Sequence, residues 1–349
     1  MKLKLTYGLF IIALIGISAS LHDVSLPYFF PEIPKQNKII LDSSYVEIGR
    51  YLFYDPILSK DLDKSCASCH KQKNAFADDR KFSLGIEKKV VKRNTLPLFN
   101  LQWYYGFFWD GRANTLRSQI REPIHDKHEL NASWELIEAR LDQSEFYKGL
   151  IEDKLPGITI DSNLVIEALG QFESILISDR SKYDRVLLGN DHFNTDEYAG
   201  FLLVNEKTKG NCLGCHTSDA DALGTIGRFS NNGLDKAKTP EDFNDQGVGG
   251  LSGISSDMGK FKIPSFRNLV FTAPYMHDGR FETLKEVVDF YADSVQANYS
   301  IDPKMSAHLG PKNLNKKEKA QIVAFLKTMS DSSFITDPRF SNPFREVQD

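Results

Sequence analysis

The sequence predicts a mainly α fold in two related halves, and three observations carry that prediction. Apolar residues recur at helical spacing in Val165, Leu169, Phe172 and Leu176 and again in Ile322, Phe325, Leu326 and Met329, whereas period-two strand patterns are scarce. A block is repeated: Asn100-Leu101 leads to Trp109-Asp110-Gly111-Arg112-Ala113-Asn114-Thr115-Leu116, and Asn268-Leu269 to His277-Asp278-Gly279-Arg280-Phe281-Glu282-Thr283-Leu284, with the same spacing from Asn to Asp in both. All four cysteines fall into two copies of one pentapeptide, Cys66-Ala67-Ser68-Cys69-His70 and Cys212-Leu213-Gly214-Cys215-His216. A length of 349 residues accommodates two domains at about 100 to 200 residues each.

Composition narrows the field. With 41% hydrophobic and 26% charged residues and a mean hydropathy of −0.35, the chain can bury a core and does not read as a polytopic membrane protein. Lys plus Arg number 43 against 47 Asp plus Glu, a formal charge of −4; neutralising phosphates needs the opposite balance, so nucleic acid is not an expected partner. At the start of the chain, Lys2 and Lys4 precede an apolar run from Leu5 to Ile17, closed by Ser18-Ala19-Ser20. This is the pattern of a signal peptide over residues 1–20, cleaved after Ser20, and predicts export to the periplasm. The run falls short of the roughly 20 residues that span a bilayer, and an uncleaved anchor is the competing reading.

In an exported chain, the CxxCH pentapeptide specifies covalent haem attachment. The two thiols add to the porphyrin vinyl groups, and the adjoining histidine reaches under the ring to ligate iron. Cys66, Cys69 and His70 are thus expected to hold one haem c, and Cys212, Cys215 and His216 a second, with His70 and His216 as iron ligands. A zinc site of four thiolates, or two redox disulfides, would not need the histidine after each pair. Each half then reads as a cytochrome c-like domain, 21–190 and 191–335, with 336–349 as a C-terminal tail. The boundary rests on the polar, turn-prone stretch Gly189-Asn190-Asp191-His192-Phe193-Asn194, before a helix opened by Asp196-Glu197. Gly247 to Gly259 reads as a long loop, mobile or at a haem edge.

From about Val46 to Met329 the sequence resembles the bacterial dihaem cytochrome c peroxidase and MauG superfamily. The resemblance is carried by Ile48-Gly49-Arg50-Tyr51-Leu52-Phe53-Tyr54-Asp55-Pro56 leading to Ser65-Cys66, by Arg93-Asn94-Thr95, by Phe108-Trp109-Asp110-Gly111-Arg112, and by Ala273-Pro274-Tyr275-Met276-His277-Asp278-Gly279. It implies that the N-terminal haem reacts with peroxide and the C-terminal haem relays or stores electrons. It also implies that Trp109 lies between the haems and that Gln119 and Glu129 stand over the peroxide-binding face. A carboxylate there can take a proton from peroxide and return it to the departing oxygen, a role that falls to Glu129, with Gln119 orienting peroxide and Trp109 as an aromatic waypoint. Asn94, Thr272 and Pro274 match the family's calcium position, one side-chain oxygen and two backbone carbonyls, which suits Ca²⁺.

Two positions depart from typical dihaem peroxidases. Ile86 stands where a loop histidine caps the resting first haem, so that haem is expected to be open without reductive activation; His125 and His128 could substitute but read more simply as surface residues. At the second haem, Tyr291 stands where typical peroxidases have a distal methionine and MauG-type enzymes a tyrosine. Met258 and Met276 are rival ligands, Met276 ranking last because it directly precedes His277. A packed helix tyrosine is the plain alternative for Tyr291.

The leading expectation is a periplasmic dihaem peroxidase that reduces hydrogen peroxide to water with electrons from a small cytochrome c or cupredoxin. The alternatives are a MauG-type oxidase acting on a protein substrate by long-range electron transfer, towards which Ile86 and Tyr291 lean, and a non-enzymatic electron carrier, against which Gln119 and Glu129 argue. Two haem c and one Ca²⁺ are the expected cofactors.

Overall fold

Two helix crossings organise the chain, and a glycine permits each. In the computed structural model, which describes residues 26–216, 229–310 and 313–345, the helices are α1 (Ser43–Tyr54), α2 (Cys66–Cys69), α3 (Leu116–His125), α4 (Trp134–Gln143), α5 (Glu145–Lys154), α6 (Ser162–Ser174), α7 (Lys182–Leu187), α8 (Thr195–Asn205), α9 (Gly249–Ser252), α10 (Leu284–Asp293) and α11 (Lys316–Lys327). Helices α1 and α6 cross at Gly49, where a Cβ would collide with the carbonyl of Ala168; α8 and α11 cross at Gly200, where it would collide with that of Gln321. Only a missing side chain lets the backbones approach so closely. The signal peptide expected over residues 1–20 lies outside the described residues, among which no helix is long and apolar enough to cross a membrane.

Each crossing carries its own core. Ile48, Leu52 and Phe53 of α1 pack with Val165, Leu169 and Phe172 of α6, while Val204 of α8 packs with Ile322, Phe325 and Leu326 of α11 and Val288 of α10. Leu176 and Met329, expected on helices, lie just past the ends of α6 and α11 but are still buried. Strand content among the described residues is β1 (Phe229–Ser230) paired antiparallel with β2 (Phe261–Lys262). Two stretches are more structured than the sequence suggested. The Gly247 to Gly259 loop contains α9 and a 3₁₀ turn, closed by a bridge from Gly247 to Lys260. Of the segment assigned as a C-terminal tail, the described residues 336–345 are docked on the first half: Phe340 joins its core, as does Phe334 just before the segment, and Arg50 Nε donates to Ser341 O at 2.7 Å and Tyr54 Oη to Phe340 O at 2.6 Å.

The sequence repeat is also a structural repeat. Asn100 and Asn268 both adopt left-handed φ, as do Phe108 and Met276 and the glycines Gly111 and Gly279. Isolated bridges Phe107–Ala113 and Tyr275–Phe281 close the same turn twice. Thr115 and Thr283 then cap α3 and α10 through reciprocal bonds with Ser118 and Glu286, satisfying backbone donors that a helix start leaves open.

Candidate functional site

Both CxxCH motifs open onto one cavity of about 1110 Å³, lined by Cys69 and His70 from one motif and Cys215 and His216 from the other. Single ligand pockets usually run about 300–1,000 Å³, so this space suits more than one large group. His70 Nδ1 lies 2.8 Å from Phe76 O, and His216 Nδ1 lies 2.8 Å from Pro264 O. A backbone carbonyl holding Nδ1–H leaves Nε2 as the metal-binding nitrogen. Burial pushes both imidazoles towards the neutral, ligand-ready form, His216 down to about 4. The residues therefore fit two covalently attached haems, each with a preoriented axial histidine.

The polar residues expected near the first motif line this cavity. Gln119, from α3, and Glu129, from the turn after it, both line the cavity. Burial, with Asp126 adding to it, pushes the Glu129 carboxyl up to about 7. Ile86 is fully buried and outside the cavity lining, its N–H donating to Glu129 O at 3.0 Å. Beside it, a Cβ on Gly85 would collide with His128 O. The segment that could have carried a histidine cap is thus a backbone splint for Glu129. His128 lines the cavity, with Nδ1 3.4 Å from Asp126. His125 does not line it; its Nδ1 faces Ala132 O and its ring meets Trp134 edge-on.

Trp109 lines the same cavity. Its Nε1 donates to Asn94 O at 2.7 Å, and its ring meets that of His277 with centroids 6.4 Å apart. Asn94, Thr272 and Pro274 line the same cavity. Asn94 Nδ2 donates to the carbonyls of Arg80 and Lys81, which turns Oδ1 away from them; that oxygen and the carbonyls of Thr272 and Pro274 accept no hydrogen bond among the described residues. Three such hard oxygens suit a calcium ion.

At the second motif Tyr291 lines the cavity with Met276 and Met305, whereas Met258 does not. The Met258 sulfur packs against Gly249. Asn232 Nδ2 donates to Tyr291 Oη at 2.9 Å and lies 3.7 Å from Met276 Sδ. Burial pushes the Tyr291 phenol up to about 12, with Asn232 pulling against it. Sequence reasoning missed Asn232, because a lone asparagine carries no pattern, and also Lys262. Lys262 is 4% exposed in the cavity wall, with Nζ donating to Gly106 O and lying 4.2 Å from the Tyr104 ring centre; burial lowers its pKa to about 8.

The model of the di-haem cytochrome c peroxidase family matches residues 43–192. The methylamine utilization protein MauG of Methylorubrum extorquens is 31% identical over 312 residues, covering 88% of this chain and 83% of that protein. This chain belongs to the di-haem cytochrome c peroxidase family. The cytochrome c551 peroxidase of Nitrosomonas europaea is 30% identical, covering 83% of this chain and 80% of its own. A MauG-like protein associated with microbial copper homeostasis superposes with a TM-score of 0.83 at 31% identity, over 93% of this chain and 99% of its own. The diheme peroxidase BthA of Burkholderia thailandensis, at 20% identity and a TM-score of 0.70, shares the fold. Relatives in the family thus carry both peroxidase and MauG names, and the fold is the mainly helical diheme peroxidase fold.

Proposed function

We propose that the chain is a periplasmic dihaem peroxidase: it reduces hydrogen peroxide to water at the cavity face near His70, with electrons from a small cytochrome c or cupredoxin. The observation that carries this reading is Glu129, a carboxyl poised near neutrality in the wall of the cavity that Gln119 also lines. A group titrating near the working pH can both take and return a proton. Cys66, Cys69 and His70 would hold one haem, and Cys212, Cys215 and His216 the other, each haem supplying redox-active iron. Glu129 accepts the proton of one peroxide oxygen and delivers it to the other, which leaves as water, while Gln119 orients the substrate. Trp109, tethered to Asn94, keeps an oxidisable ring between the two sites, and Asn94, Thr272 and Pro274 would hold Ca²⁺ beside it.

A second reading has its own support. Tyr291, held by Asn232 in the cavity wall, favours MauG-type chemistry, in which the oxidising equivalents of peroxide are drawn from a protein substrate. A phenolate ligand stabilises ferric iron where a thioether favours ferrous.

The test is to mix ferric, haem-loaded protein with peroxide, with and without prior one-electron reduction. Immediate reaction of the ferric protein is expected, since Ile86 cannot cap the first iron. Two low-spin ferric haems that react only after reduction would refute it. Steady-state oxidation of a small cytochrome c, against oxidation of a protein substrate without it, separates the two readings.

A further inference from the structure

Trp103 is fully buried and Tyr28 is 81% exposed, and a column of aromatic rings joins them. Trp103 meets Phe30 at 5.5 Å between centroids, Phe30 meets Phe29 at 5.6 Å, and Phe29 meets Tyr28 at 5.4 Å, all edge-to-face. The column reaches the cavity wall at two points, next to Trp103 and at Phe30. Tyr104, the chain neighbour of Trp103, lines the cavity, and so does Arg267, whose guanidinium lies 5.0 Å from the Phe30 ring centre. Aliphatic residues around the column, Leu26, Ile33 and Ile177, already help to anchor this segment, so packing alone does not call for oxidisable rings at both ends. We propose that this column carries electrons between the surface and the haem cavity, with Trp103 and Tyr28 as its two oxidisable stations and Tyr28 as the surface terminus where electrons enter. The inference rests on the peroxidase reading for its oxidant, and it names the surface at which that reading's electrons enter.

The chemistry of the two ends differs in a useful way. The Trp103 Nε1–H donates to Pro31 O at 2.8 Å, and a carbonyl is no base, so loss of an electron leaves an indole radical cation that still holds its proton. Tyr28 Oη donates to Leu187 O at 3.2 Å at an exposed position, so when its electron leaves, its proton passes to water and a neutral phenoxyl remains. The phenylalanines between are too hard to oxidise to be stations; they keep the gap filled with packed rings. Per peroxide, two electrons and two protons give two waters: each electron leaves a Tyr28 phenol, its proton going to solvent, and the donor returns one electron per phenoxyl as solvent returns the proton.

The experiment uses haem-loaded protein, one equivalent of peroxide, no donor, and a nitroso spin trap read by peptide mass spectrometry. Wild type is expected to carry the adduct on Tyr28, and Tyr28→Phe to lose it. Trp103→Phe keeps a packed ring and is expected to lower the Tyr28 adduct by about tenfold, with haem spectra unchanged and the melting temperature lowered by the lost bond to Pro31 O. An undiminished Tyr28 adduct in Trp103→Phe, or adducts confined to Tyr105, would overturn the column. A second arm needs no peroxide: Tyr28→Cys carrying a ruthenium photosensitiser is flashed with an oxidative quencher to give Ru(III), and the rate at which ferrous haem is oxidised is compared with and without Trp103→Phe. Equal rates overturn the column. A protein inert to peroxide that still shows the Trp103-dependent flash rate would sink the peroxidase reading and leave the column standing.

Discussion

The two CxxCH sites share a motif and differ in nearly everything around it. Cys66–Cys69 forms a short α-turn entered from Ser65, with Ser65 and Ser68 in a reciprocal cap, and His70 is steadied locally by Phe76 O. Cys212–Gly214 is a 3₁₀ turn entered from a left-handed Asn211, and His216 is steadied by Pro264 O from a distant segment, with its ring stacked on Phe266 at 4.1 Å. Near the first lie a carboxyl poised near neutrality and an amide; near the second, a phenol with an asparagine partner and two methionines. The repeated block diverges at its first position too, where Trp109 is tethered to Asn94 O and His277 lies nearly parallel on Phe261, 3.6 Å between centroids. The motif and its duplication set where two cofactors attach; the residues across the cavity set what each can do.

The largest expected effect breaks this asymmetry at its chemical end. Glu129→Gln keeps shape and hydrogen bonding but removes the titratable oxygen, so peroxide turnover is expected to fall by about 10² to 10⁴-fold with both haem spectra intact. The pH dependence carries the sign: the proton acceptor is the carboxylate, so wild-type activity should rise with pH through about 7, and the variant should lose that limb. Unchanged turnover would make Glu129 an ordinary partly exposed acid.

Much of this was visible in the sequence because it is written in short, rigid patterns. CxxCH and the repeated Asp-Gly-Arg turns need particular residues at fixed spacing, and Gly111 and Gly279 occupy the left-handed φ that such a turn requires. What escaped depends on contacts between distant segments. Asn232 acquires its role only when α10 brings Tyr291 to it, and Lys262 and Glu173 are charged side chains that no periodicity marks as buried. Adjacency to His277 ranks Met276 last in the sequence, but a neighbour in the chain does not say where the side chain lies: Met276 lines the cavity and Met258 packs against Gly249.

The second effect tests the other end of the comparison. If Tyr291 Oη ligates the second iron, Tyr291→Phe removes a negatively charged ligand and the potential of that haem should rise; Asn232→Ala should move it the opposite way by less, since the phenolate loses a hydrogen-bond donor. Met276→Leu serves as the control, expected to leave the potential in place. A redox titration following each haem by its own spectrum reads all three, and a shift confined to Met276→Leu would transfer the ligand role to that methionine.

A smaller effect probes the backbone splint. Gly85→Ala places a methyl against the carbonyl of His128, and since backbone has to move, a cost of about 1–3 kcal/mol is expected. The displacement should also lower peroxide turnover, because Ile86 N–H holds Glu129 O. Gly157→Ala is the comparison: nothing lies within 4 Å of a Cβ there, and only its φ of +79° is strained. Equal losses of turnover in the two variants would separate the splint from Glu129.

The smallest expected effect concerns Glu173, near the first motif. It is 5% exposed, its Oε2 has no hydrogen-bond partner among the described residues, and burial alone pushes its carboxyl up to about 8, from 4.5. Below pH 4.5 both folded and unfolded chains hold the proton and the group contributes no pH dependence. Between 4.5 and 8 the unfolded chain releases it while the folded chain keeps it, so stability falls as pH rises, levelling off once the folded carboxyl ionises as well. Glu173→Met fills a similar volume without a titratable group or an unpaired oxygen. Its melting temperature is expected to exceed that of wild type by a few degrees at pH 8, with the gap closing towards pH 4.5. A gap that is constant with pH would mean that the carboxyl is not held neutral, and that its ionised form has a partner near Cys66.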